Sequence, residues 1–114
     1  MNLVDSSGWM EYFVGSENSD NFSMAIEDYE NLIVPTICIT EVFKKILREA
    51  NEEAALLALA KMRMGNVIDL DELIALDAAV YGKKYKLPLA DSIIYATARR
   101  CNAILYTQDD HFGV

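Results

Sequence analysis

The sequence predicts an α/β domain with a central parallel sheet of about four strands, and three features predict it. Short apolar runs without polar alternation recur at "MNLVD", "LIVPTICI", "NVIDL" and "AILYT". Stretches of helical spacing separate them, so each connection is a crossover and the strands run parallel. The 114 residues are 53% hydrophobic with five Gly and two Pro, which suits one folded core and excludes disordered and fibrous classes.

"MNLVD" reads as a buried opening strand because it is apolar without alternation. "SSGWMEYFVG" follows as a short helix, with Ser6 or Ser7 as its N-cap and Gly15 as its stop. "SENSDN" is a loop and "FSMAIEDYEN" a second helix. "LIVPTICI" is the next strand, with Pro35 marking an edge or a strand end. Ile39, Val42, Phe43, Ile46, Leu47 and Ala50 then define one apolar helical face, with Glu41 in the first turn and off the stripe's centre. "EEAALLALAKMRM" is a further helix ended by Gly65, and "NVIDL" is the third strand. "DELIALDAAVYGKKYK" is a long helix interrupted late by Gly82, and Pro88 stops the chain. Asp91 opens "DSIIYATARRC", a helix apolar almost all round and therefore largely buried. "AILYT" is the fourth strand, with Asp109 and Asp110 just past its end.

No apolar run approaches the roughly 18 residues that span a bilayer. The N-terminus lacks the basic and apolar regions of a signal peptide. Cys38 and Cys101 sit in apolar sequence without a CxxC or His spacing, which points to reduced core thiols and a cytoplasmic protein. Net charge is −8, on its face unfavourable for a nucleic-acid partner. The distribution is uneven, however: residues 1–43 hold eight acids and no Lys or Arg. The basic residues follow in clusters, first Lys44, Lys45 and Arg48, later Lys83, Lys84 and Lys86, then Arg99 and Arg100. Each cluster is either a solvated helix face or a phosphate contact.

In parallel sheets ligands bind beyond the carboxyl ends of the strands. Asp5 follows the first strand, Glu41 opens the helix after the second, and Asp109 follows the fourth. Asp91 reaches the same rim if its helix runs antiparallel to the strands. Carboxylates brought together need a counter-charge. Hard Mg²⁺ or Mn²⁺ fits oxygen ligands, whereas neither cysteine nor the sole histidine, His111, suits a softer metal. Such ions over a phosphodiester would activate water and stabilise the leaving oxygen without a protein nucleophile. Competing chemistries are missing: there is no GxxxxGK[ST], GxGxxG or GxSxG, and a Ser-His-Asp triad would have to recruit His111.

At "VDSS", "TEV", "ADSIIYATA" and "TQDD" the chain resembles the PIN-domain family, and in size and spacing its VapC-type toxins. The resemblance implies an acidic site of Asp5, Glu41, Asp91 and Asp109, with Asp110 as an auxiliary. Hydroxyls beside the first and last acids match Ser6 or Ser7 and Thr107, although helix capping accounts equally well for the serines. It further implies a three-layer fold, a Mg²⁺- or Mn²⁺-dependent endoribonuclease, homodimers, and inhibition by a small antitoxin. Lys44, Lys45 and Arg48 lie within two turns of Glu41 and would contact RNA phosphates. An antitoxin would insert an Arg among the acids, with exposed Trp9, Tyr12 and Phe13 as apolar anchors. Such relatives continue past "DDHF" into a further strand, so a single domain over 1–114 would lack one. The alternatives are therefore a truncated toxin or a catalytically inert PIN-like interaction module. A phospho-acceptor receiver domain is a third reading, disfavoured because no Lys follows the fourth strand.

Overall fold

The computed structural model describes residues 1–15 and 17–108. In it, β1 (Asn2–Val4), β2 (Leu32–Pro35), β3 (Asn66–Ile68) and β4 (Ile104–Tyr106) form one sheet in the order β3-β2-β1-β4. All three pairings are parallel, with Leu3 opposite Ile33 on one side and Leu105 on the other. Successive strand residues point to opposite faces, yet Leu3, Val4, Leu32, Ile33 and Val34 are all buried. Both faces of the two central strands are therefore covered, which makes the fold three-layered, as the sequence predicts.

Six helices provide the cover: α1 (Ser6–Val14), α2 (Asp20–Glu27), α3 (Thr36–Glu49), α4 (Glu52–Met62), α5 (Glu72–Tyr85) and α6 (Leu89–Arg100). The main core joins β1 and β2 to Trp9, Ile26, Val42, Met62 and Ile94. A smaller cluster of Ile74, Ala78, Ile93 and Ala96 holds α5 against α6. Among the described residues, no helix is long and apolar enough to cross a membrane.

Several element boundaries differ from those expected, each for a local reason. "TICI" belongs to α3, not to a strand, because Pro35 ends β2 at φ −64° and serves as the helix N-cap residue. Glu41 consequently falls in the second turn of α3. The second helix stops at Glu27, and Tyr29–Asn31 forms a separate 3-10 turn. Gly82 does not interrupt α5, since its missing side chain admits Ser92 of α6, whose Cβ would lie 3.3 Å from a glycine-to-alanine methyl. The cap of α1 is Asp5 rather than Ser6 or Ser7, whereas Gly15 ends the helix in the left-handed conformation expected of it. Trp9 is fully buried, stacked on Phe13 with ring centroids 5.6 Å apart, so it is no exposed anchor.

Candidate active site

The chain leaves β1 towards β2 and β3 on one side, then returns to β4 on the other. This places the topological switch point between β1 and β4, where such sheets open a crevice beyond the strand ends. Asp5 stands there, its amide donating to the Tyr106 carbonyl at 3.1 Å. It is only 2% exposed. A buried carboxylate must be hydrogen-bonded, and this one is. Oδ1 accepts from the Gly8 amide at 3.0 Å and the Ser7 hydroxyl at 2.7 Å, and Oδ2 accepts from the Thr107 hydroxyl. Each oxygen has two acceptor sites, so bonds among the described residues leave one on Oδ2 for a further partner.

Neighbouring hydroxyls hold the rest of the rim. Ser6 donates to Glu41 Oε1 at 2.6 Å, tying the start of α1 to α3. Ser7 also accepts from the Gln108 amide at 3.1 Å, which fastens the segment after β4. The two serines thus orient acids, and the capping explanation fails for both. Asp91 lies in the first turn of α6, where the helix dipole favours a carboxylate.

Asp5, Glu41 and Asp91 line one cleft of about 530 Å³ together with Ser6, Ser7, Lys44, Lys45 and Arg48. The buried Cys38 thiol beneath reports the same convergence. Burial pushes its pKa far up, the charges of Asp5, Glu41 and Asp91 add to the rise, and a Ser6 hydrogen bond opposes it. Cys38 is therefore held as the neutral thiol.

The oxygen-only donor set of Asp5, Glu41 and Asp91 fits a hard divalent cation that keeps its own waters and takes only one or two direct carboxylates. Among the described residues, no three His, Cys, Asp or Glu groups stand close enough to hold an ion by themselves. Asp109, Asp110 and His111 lie outside the described residues, as does the segment 109–114 on which the missing-strand expectation falls.

The cleft also contains Glu11, Thr40 and Gln108, which the sequence reading did not single out. Glu11 is four residues beyond Ser7 on α1 and so shares its face, a signal available in the spacing. Thr40 and Gln108 carry no comparable signal beyond adjacency to Glu41 and Thr107.

The family model described as PIN domain matches residues 3–113. No curated protein matches the sequence significantly. Among solved structures, a chain of a toxin–antitoxin complex from Klebsiella pneumoniae is 25% identical with a TM-score of 0.78, over 96% of this chain and 88% of that one. Mycobacterium tuberculosis VapC20, described as a sarcin-ricin loop cleaving toxin, has a TM-score of 0.82 over 99% of this chain and 93% of its own. Its identity is 15%, so it shows the shared fold alone.

Proposed function

The chain belongs to the PIN domain family, and on that premise we propose that it is a metal-dependent endoribonuclease, the toxin of a toxin–antitoxin pair acting in the cytoplasm. The observation that carries this reading is the arrival of Asp5, Glu41 and Asp91, from three separate elements, in one cleft that Lys44, Lys45 and Arg48 also line. The 25% identity to a chain of a toxin–antitoxin complex supports it.

Asp5, Glu41 and Asp91, with Asp109 as a fourth, are the residues that would hold Mg²⁺ or Mn²⁺. A bound ion would neutralise the carboxylates, admit the scissile phosphate among them and polarise it. The protein's part is preorganisation. Asp5 is locked by three donors and Glu41 by Ser6, so neither has to reorient during the reaction. Lys44, Lys45 and Arg48 neutralise phosphates along the bound strand, which lets a chain of net charge −8 hold RNA locally. A carboxylate not engaged with the cation can accept the proton of the attacking water.

The partner is a small antitoxin that places an Arg among the carboxylates and lays an apolar helix beside them. Trp9 is buried, but Phe13 remains available: with Met10, Ile46 and Leu57 it lines an apolar groove of about 410 Å³ that shares Met10 with the cleft. A homodimer belongs to the same reading.

The test is cleavage of a tRNA pool and of ribosomal-RNA loops by the purified chain under Mn²⁺ titration. Wild type should cut, whereas Glu41→Gln and Asp91→Asn should lose activity while remaining folded. A folded wild type that cuts no structured RNA with Mn²⁺ present would leave an inert interaction module as the better account.

A further inference from the structure

Between Asp91 and Arg99, α6 buries every residue except Asp91, Tyr95 and Arg99. Spaced four apart, these three form one open stripe, starting in the cleft and running about 12 Å along the helix. Two rings from α5 join it. Tyr95 packs edge-on against Tyr81 and Tyr85, with centroids 5.1 and 5.6 Å away, and those two lie nearly parallel at 6.1 Å. The Arg99 guanidinium stands 5.6 Å from the Tyr81 ring and 5.9 Å from the Tyr95 ring, and its Nη1 donates to the Tyr95 hydroxyl at 3.2 Å. Lys84 reaches within 5.3 Å of the Tyr85 ring, which is 37% exposed.

We propose that this tyrosine–arginine patch is a stacking platform for an unpaired base of the RNA strand held in the cleft. The inference rests on the ribonuclease reading and deepens it, since it assigns the enzyme a single-stranded nucleotide beside the scissile position. Two observations carry it. The patch is continuous with the acidic cleft along one helix stripe, so a strand leaving the cleft at Asp91 meets Tyr95 next. Aromatic rings bordered by cations are also the combination that binds single strands, because every base has a face to stack and every nucleotide a phosphate to neutralise. The smaller core of Ile74, Ala78, Ile93 and Ala96 already joins α5 to α6. Apolar packing there leaves the partly exposed rings and Arg99 available for a ligand.

The test measures equilibrium binding of a fluorescein-labelled single-stranded RNA to the full chain, with Ca²⁺ in place of Mn²⁺ so that the carboxylates are neutralised, and with the RNA checked to be intact afterwards. A second probe has the same length but abasic sugars, which keeps the phosphates and removes the bases. Tyr85→Ala and Arg99→Ala should each weaken binding of the intact strand by about fivefold to a hundredfold, with Tyr85→Phe close to wild type. Tyr85→Ala should bind the abasic strand as wild type does, or nearly so, whereas Arg99→Ala, which also removes a cation, should weaken the abasic strand less than the intact one. Lys45→Ala with Arg48→Ala should weaken both probes. If the alanine variants bind the intact strand like wild type while the Lys45/Arg48 variant does not, the platform is wrong and the RNA reading stands. If no variant changes binding, the RNA reading falls as well. If Tyr85→Ala halves the sedimenting mass without altering RNA affinity, the patch is an interface between copies and the proposal is overturned. Arg99 is exposed, so its alanine variant decides the matter should Tyr85→Ala fail to fold.

Discussion

Because Asp5 caps α1 through the Gly8 amide and also accepts the Ser7 and Thr107 hydroxyls, removing its carboxylate strips three donors of their acceptor. Loss of an N-cap costs about 0.5–2 kcal/mol, and donors left buried without a partner add to it. Asp5→Ala should therefore lower the unfolding free energy by about 1–3 kcal/mol in urea titrations. Asp91 differs. Asp91→Asn forfeits a helix-dipole interaction of about 0.3–1 kcal/mol and relieves repulsion among the acids, so its stability should stay within about 1 kcal/mol of wild type. Both changes should abolish cleavage; equal stability losses would show that Asp91 is as structural as Asp5. Cys38 offers a second check at this scale. Buried and kept neutral, it should resist iodoacetamide at pH 8 while the partly exposed Cys101 is modified, as peptide masses would show. Ready alkylation of Cys38 in the native state would mean that the floor of the cleft is open.

The placing of these residues depends on how closely α1 approaches the sheet. A Cβ added at Gly8 would lie 2.6 Å from Val4 Cγ1 and 2.8 Å from Phe22 Cδ1. Only glycine lets the first turn of α1 sit on β1 with Ser6 and Ser7 in reach of Glu41 and Asp5. Gly8→Ala should thus destabilise the fold by about 1–3 kcal/mol, the usual cost of overpacking. Its residual activity, measured where the protein is still folded, should drop as well. An alanine variant as stable and active as wild type would show that α1 has room to shift. Element identity was mostly legible from period and punctuation, because four apolar runs and amphipathic faces such as Val42–Ile46 report burial directly. Boundaries were less so. Nothing in "VPTICI" tells a buried strand from a buried helical turn until Pro35 is seen to end a short ladder at the edge of the site. The meeting of Asp5, Glu41 and Asp91 at one rim was legible because each follows a strand or lies in the first two turns of a helix. The serine bonds were not, since they depend on side-chain directions that spacing alone leaves open.

Across the whole molecule the decisive quantity is the charge gathered at the switch point. Asp5, Glu41 and Asp91 line one cleft in a chain of net charge −8, and without a cation their mutual repulsion opposes folding at neutral pH. A cation that binds only the folded state stabilises it by mass action, about 2.7 kcal/mol at a hundred times Kd. For a domain of this size that corresponds to a rise in melting temperature of several degrees, at about 2–8 °C per kcal/mol. Thermal melts should therefore show a Mn²⁺-dependent rise for wild type that NaCl of equal ionic strength does not reproduce. The pair Glu41→Gln with Asp91→Asn should lose most of that rise, because it removes two of the four proposed carboxylates and one of the two left, Asp5, has its oxygens largely filled by hydrogen bonds. Glu53→Gln, on the exposed start of α4, should respond like wild type. Should the double variant gain as much from Mn²⁺ as wild type, the ion binds elsewhere and the three carboxylates do not form its site. A wild type that gains no more from Mn²⁺ than from NaCl would remove the cation from the mechanism altogether.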